Sequence, residues 1–375
     1  MPHDPYPKSL AIAGAWGYIG LKFLEAAGRR GIPTFVFDPG RAPEHEAVQH
    51  ATRIANEDAF YDSPAELFHL AMHPEQRRRA LESLLARPDV PTFAILNEKP
   101  MAAPEDPDQC TRLIADVRSA NALMLFDFPE LFDPLTERIL NTLRQYRNVK
   151  ISHIRIQRSK DRENPANPRN YKRIVPIQYQ ESVHCLAFVL YLLARLRGSL
   201  DALFAEGLAA EAQSQPYRPP NPQDYATVVD GRCQYRLTLG SLPVEGLTDF
   251  TAGAEGVKRR VIRGTCDGRS FCIEADYQEG RKTLLVDGVD QAVDPDASSY
   301  DAVLKTFSSW QRSVPRHELL SGVFPNPTFA HATFQLSSVL WRCCRTKRPI
   351  QLASSADLLA FDAGFREALP TFARY

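Results

Sequence analysis

Two short stretches of this 375-residue chain carry residue types that do chemistry. The first is Gly14-Ala15-Trp16-Gly17-Tyr18-Ile19-Gly20, in which glycine recurs at every third position. Glycines so placed let a chain turn tightly and bring its backbone N–H groups up to a pyrophosphate, whose charge then rests on the N-terminus of the next helix. The turn follows an apolar run at 9–14 and opens an amphipathic segment at 18–31, which is the strand-turn-helix context such a motif requires. The spacing is G-x-x-G-x-x-G, with Trp16 where a second glycine is common. Asp38 closes the next apolar run and can accept hydrogen bonds from both hydroxyls of an adenosine ribose. It would repel a 2′-phosphate, which favours NAD. Arg41 lies three residues on and could pair with that phosphate, so NADP stays open. The cofactor-binding candidates here are Gly14, Trp16, Gly17, Tyr18, Ile19, Gly20, Asp38 and Arg41.

The second stretch is Asn97-Glu98-Lys99-Pro100, which ends the apolar run "TFAIL". In open α/β sheets ligands bind beyond the carboxyl ends of the strands, so side chains at such an end face the cofactor crevice. A lysine there can hydrogen-bond a substrate hydroxyl, carry a lowered pKa when desolvated, and stabilise a developing alkoxide. Glu98 can orient that lysine or contact the nicotinamide ribose, and Pro100 fixes the backbone that aims it. His73 precedes a proline where another strand would end over the cofactor. His69 and His73 stand four apart in a strand-like segment without a third ligand, so no metal site is expected. The run Arg77–Arg79 reads as a solvated helix face.

These residues need a scaffold, and the first third of the chain supplies its grammar. Strands are expected at 9–14, 33–38, within 65–74, at 92–100 and at 122–128, with helices at 18–31, 74–87 and 107–121. That alternation implies right-handed crossovers and a doubly wound parallel sheet. Beyond residue 128 come a helix at 133–146, a long alternating strand at 149–159 and an apolar helix at 181–198. Alternating segments from 225 to 289 then suggest an antiparallel meander with one wet face. The segment 214–225 reads as a surface loop. A helix near 327–345 and the short strand "RPIQLA" close the chain. The fold class is therefore α/β plus α+β: a Rossmann-type domain over 1–128, then a mixed α+β domain over 129–375.

Bulk properties exclude some functions. Forty-five basic residues balance forty-five acidic ones, which argues against a dedicated nucleic-acid surface or a polybasic membrane patch. No stretch approaches a membrane span, and the first fourteen residues lack a signal-peptide apolar region. Seven cysteines, two of them adjacent at 343 and 344, read as reduced thiols of a cytoplasmic protein.

Glu98-Lys99-Pro100 at the end of a parallel strand resembles the Glu-Lys-Pro motif of the glucose–fructose oxidoreductase/inositol dehydrogenase (Gfo/Idh/MocA) family. The stretch "FDFPELFDP" (126–134) is similar to that family's crossover out of the Rossmann domain. "ESVHCLAFVLYLL" (181–193) is similar to its histidine-bearing helix, and "LWRCCRTKRPIQL" (340–352) to its last helix and returning strand. The resemblance implies a second domain built on a large, open, mainly antiparallel sheet, with about 327–352 packing back. It implies NAD(P)-dependent oxidation or reduction of sugars, cyclitols and their derivatives, by a homo-oligomer (dimer or tetramer). It also implies a catalytic pair, Lys99 with His184. The family's aspartate four before this histidine is Gln180 here, which cannot act as a base. Glu181, or a tyrosine such as Tyr171 or Tyr179, is then the stand-in. Arg155, Arg158 and Lys160 could reach an anionic group of the substrate, Arg158 foremost, or form the wet face of a sheet.

Other readings share these residues. The same glycine spacing opens the extended short-chain dehydrogenases, whose Tyr-x-x-x-Lys signature has a counterpart in Tyr146 and Lys150. Lys150 already belongs to the strand at 149–159, so one helical face does not hold both. The missing aspartate also admits an imine or enone reductase on the same fold, or a non-catalytic NAD(P)-binding regulator.

Overall fold

The computed structural model describes residues 5–253 and 256–374, so positions 254 and 255 of the expected meander lie outside it. The chain gathers into two compact units, one of residues up to 133 together with 298–331, the other of 134–297 together with 332–375. The boundary expected at 128 thus falls at 133, and a segment expected in the second domain returns to the first.

The first unit begins with strand β1 (Leu10–Ala13), helix α1 (Tyr18–Arg29), β2 (Thr34–Phe37), β3 (Ala51–Arg53), α2 (Glu57–Tyr61) and β4 (Leu67–Leu70). It continues with α3 (Arg77–Leu85), β5 (Ala94–Glu98), α4 (Asp108–Ser119), β6 (Leu123–Asp127) and α5 (Pro129–Phe132). The six strands are all parallel, in the order β3-β2-β1-β4-β5-β6. This is the doubly wound order, with its switch point between β1 and β4. Every residue of β1, β4, β5 and β6 is buried, as strands covered on both faces must be. The three-residue β3 is too short and too exposed to leave a sequence signal.

The second unit starts with α6 (Pro134–Arg144), β7 (Val149–Ser159), α7 (Val183–Arg197) and α8 (Leu200–Phe204). Seven strands follow: β8 (Leu208–Pro216), β9 (Asp230–Leu239), β10 (Leu242–Asp249), β11 (Val257–Cys266), β12 (Arg269–Asp276), β13 (Thr283–Val286) and β14 (Val289–Asp290). Helices α9 (Ser299–Ser313) and α10 (Arg316–Ser321) belong to the first unit; α11 (Pro327–Thr346) and β15 (Ile350–Leu352) complete the main elements. The nine-stranded sheet runs β14-β13-β12-β11-β7-β10-β9-β8-β15. The expected meander is therefore split, because β7 inserts between β11, antiparallel to it, and β10, parallel to it. Of the segment expected as a loop at 214–225, the first three residues belong to β8, which ends at Pro216, and the rest holds only a short 3₁₀ turn at Pro222–Asp224.

Burial alternates along β9 and β10, so one sheet face is covered and the other is wet. Helix α7 is buried at every position from Val183 to Ala194, and a helix apolar all round has to lie inside its unit. Arg260, buried on β11, lies over the rings of Phe188 and Tyr277 at 5.4 and 5.7 Å. Tyr235 lies across its cross-strand partner Gly246, where an added Cβ would stand 1.9 Å from the ring. Gly246→Ala is expected to lower the urea midpoint, at a cost of about 1–3 kcal/mol. An unchanged midpoint would show that Tyr235 is free to move off the strand.

Candidate active site

The glycine turn owes its shape to three different constraints. Gly14 has φ +77°, and a Cβ there would meet the carbonyl of Ala71 at 2.7 Å. At Gly20 a Cβ would lie 2.4 Å from the Gly14 carbonyl, so only glycine lets α1 pack against the turn. Gly17 caps α1 with no side-chain hydrogen bond, and no acidic residue stands in the first turn. The amide dipoles of α1 therefore end in a cradle that suits an anion. Asp38 braces the cradle: its Oδ2 accepts from the Trp16 amide at 3.1 Å and its Oδ1 from the Gly40 amide at 2.8 Å. Each oxygen retains a lone pair for a ribose hydroxyl. Tyr18 and Ile19 form the first turn of α1, while Arg41 and His73 are exposed. These residues fit a dinucleotide.

The Glu-Lys-Pro corner is held from beneath by a residue that the sequence pattern placed in solvent. Arg77 is 1% exposed and fans its guanidinium over four acceptors: the carbonyls of Met72 (3.0 Å), Glu98 and Pro100 (3.0 Å), and Asn97 Oδ1 (3.1 Å). Burial lowers its pKa to about 10, although Glu98 and Glu75 work the other way. Arg78 and Arg79 do face solvent, as expected. The Lys99–Pro100 peptide is cis.

Three polar side chains meet where β4, β5 and β6 run side by side. His69 Nε2 lies 3.0 Å from Glu98 Oε1, and Glu98 also hydrogen-bonds Asp127, its register partner on β6. Ligand atoms of the three lie within 4.8 Å of one another. The partner of His69 is thus a carboxylate. Burial and the neighbouring Glu98 push Asp127 well above the usual aspartate range, so its carboxyl keeps a proton and donates it to Glu98. Burial alone would raise Glu98 too. The hydrogen bonds from His69 and Asp127, with the positive charge of half-buried Lys99, outweigh it and hold Glu98 below its ordinary value. Tyr300, from α9, hydrogen-bonds Tyr18; burial, Tyr18 and the two carboxylates raise its phenol. Side chains thus run from the first turn of α1 to the carboxylates beside Lys99.

In the second unit, His184 is buried in the first turn of α7. The five residues before α7, Gln178–Ser182, form a π-turn in which the Val183 amide reaches back to the Gln178 carbonyl. Gln180 lies within this π-turn, four residues before His184. Glu181, expected as a stand-in base, is instead a counter-ion: Arg158 Nε donates to it at 2.5 Å and Lys160 Nζ at 2.7 Å. Both its oxygens are taken, and it is 1% exposed. Arg158 is consequently neither a substrate contact nor part of a wet face, whereas Arg155 is exposed. The ring of Tyr179 is buried against Phe334 and its hydroxyl donates to Ser338 at 3.1 Å, so it belongs to the core. Tyr171 is 49% exposed. Tyr146 lies beyond α6 and Lys150 in β7, as the short-chain reading cannot accommodate.

Arg77, His69, Asp127 and Tyr300 escaped detection in the sequence. His69 and Asp127 did leave a signal, since each is a polar residue inside an otherwise apolar strand run and must find a partner there.

A doubly wound parallel sheet in one unit and one large open sheet in the other define a two-unit architecture. No protein-family model matches this chain, and no curated protein does. Solved structures match over nearly its whole length. A candidate myo-inositol dehydrogenase from Sinorhizobium meliloti 1021 aligns with TM-score 0.68 and 14% identity, covering 92% of this chain and 99% of that one. A myo-inositol dehydrogenase from Corynebacterium glutamicum gives 0.63 and 14%, over 92% and 98%. A super-repressor mutant of Gal80p from Saccharomyces cerevisiae gives 0.65 and 12%, over 95% and 100%. The chain has the Gfo/Idh/MocA fold.

Two outcomes follow. Arg77→Met is expected to cost about 3 kcal/mol or more in urea unfolding, because four buried acceptors lose their donor; a loss below about 1 kcal/mol would mean that water replaces the guanidinium. Asp127 keeps its proton where the unfolded chain has lost it, so its stabilisation is full below the ordinary aspartate range and fades as pH rises toward the raised value. Asp127→Asn copies the protonated shape without titrating. Its melting temperature should gain on the wild type as pH rises above about 5, a tenfold difference in proton affinity between folded and unfolded chains being worth about 1.4 kcal/mol. A difference that stays flat with pH removes the shared proton.

Proposed function

We propose that this chain is an NAD(P)-dependent oxidoreductase acting on a hydroxyl/ketone pair of a sugar, cyclitol or sugar-derived intermediate. The observation that carries the reading is the Glu98-Lys99 corner, at the carboxyl edge of the same parallel sheet whose first strand ends in the glycine turn. When bound, the nicotinamide supplies the hydride acceptor or donor. The turn from Gly14 to Gly20 receives the pyrophosphate, and Asp38 receives the ribose, which favours NAD over NADP. Glu98 fixes Lys99, whose ammonium hydrogen-bonds the substrate oxygen and stabilises it as negative charge develops. His184 relays the proton. The absence of an aspartate at Gln180 leaves Lys99 as the first proton-handling group, since Glu181 is tied to two cations. A cytoplasmic homo-oligomer, dimer or tetramer, completes the reading.

Two alternatives stay on the same fold: reduction of an imine or enone, and a regulator that binds nucleotide without turning over, for which the similarity to Gal80p speaks. Fluorescence titration with NADH and NADPH, followed by a panel of polyols, sugars, imines and enones, separates the three. Lys99→Ala is expected to lower turnover by about 10²–10⁴-fold while nucleotide affinity changes little. Unaltered turnover would refute the role of Lys99, and nucleotide binding without exchange on any panel member would favour the regulator.

A further inference from the structure

The adjacent cysteines near the end of α11 occupy opposite surroundings. Cys343 is fully buried, its thiol donates to the Ala210 carbonyl at 3.3 Å, and burial pushes it up to about 11. Cys344 is only partly covered and borders a groove of about 850 Å³, together with Ser214, Gln234 and Lys347. Its sulfur lies 3.9 Å from that of Cys233, which is wholly buried on β9, and 3.5 Å from Gln178 Nε2. All of these residues belong to the second unit.

We propose that Cys344 is a peroxide-reactive thiol and that Cys233 resolves it, forming a disulfide between β9 and α11. The environment assigns the two roles. The hydrogen bond from Cys233 holds the Cys344 thiol below its ordinary range against the opposing effect of burial, whereas Cys233, bonded to Cys344 and fully buried, is pushed well above its own. A thiolate is the nucleophile, and the groove gives a small oxidant access to it. The Cys344 thiolate attacks one oxygen of hydrogen peroxide, the O–O bond breaks, and the departing hydroxide takes up the released proton as water. Cys233 then attacks the sulfenic sulfur, the S–O bond breaks, and a second water leaves with the proton of Cys233. Two thiols lose two electrons and peroxide gains them. The sulfurs need to close by about 2 Å, a matter of side-chain rotation rather than strand movement. Gln178, which also donates to Asp230 at 2.8 Å, would lose its sulfur acceptor, so oxidation reaches the π-turn that leads into α7.

The test treats the full chain with hydrogen peroxide at neutral pH, blocks remaining thiols and maps peptides. Intact protein should lose two hydrogen masses and yield one cross-linked peptide pair, Cys233 with Cys344. Cys233→Ser should trap Cys344 as a sulfenic acid that dimedone captures, and Cys344→Ser should leave Cys233 unmodified. In the untreated protein, iodoacetamide should label Cys344 at least about 10-fold faster than its neighbour Cys343. Dimedone capture elsewhere, for example at partly covered Cys272, with Cys344 unreacted would overturn the proposal. So would oxidation of Cys344 without the cross-link in the native chain, a measurement that needs no variant to fold.

Discussion

Strands buried on both faces can carry polar side chains only if those groups find partners inside the sheet, and in this protein that constraint builds the candidate site. His69, Asn97, Glu98 and Asp127 sit near the ends of such strands, where water is excluded and each unmet hydrogen bond costs on the order of 1–3 kcal/mol. The solution is one connected set. Arg77 gathers the carbonyls that flank the corner, and the histidine and two carboxyls share what protons there are. Lys99 emerges from this set half covered, with its backbone fixed on both sides. The apolar strands supply position, and the buried polar groups supply aim.

The second unit applies the same rule to a different end. Glu181 is buried, and two cations neutralise it in place. The π-turn that carries it leads directly into α7. A carboxylate with both oxygens engaged is a structural counter-ion. The departure from the family pattern at Gln180 is therefore not repaired by its neighbour.

Much of the architecture was legible because it is periodic. The mostly apolar strands of the first unit, the glycine turn and the span of β7 all follow from patterns of two, three or four residues. What was hidden depends on contacts between residues far apart in the chain. Arg77 looks like its neighbours Arg78 and Arg79 in sequence, and only the turn that begins α3 swings it beneath the corner. Nothing local marks the insertion of β7 into the meander, since its partners lie about a hundred residues downstream. A π-turn is likewise invisible to a reading that assumes uniform helical spacing, and the cations that occupy Glu181 come from the end of β7 and the residue after it.

Asp38 illustrates what a turn gains by being tied down in advance. Its carboxylate already links the amides of Trp16 and Gly40, joining the loops that follow the first two strands. A ligand arriving there meets a rigid receptor and has little backbone freedom to quench, so the entropic toll of association falls mainly on the ligand. Recognition at such a cleft should be quick and selective for shape.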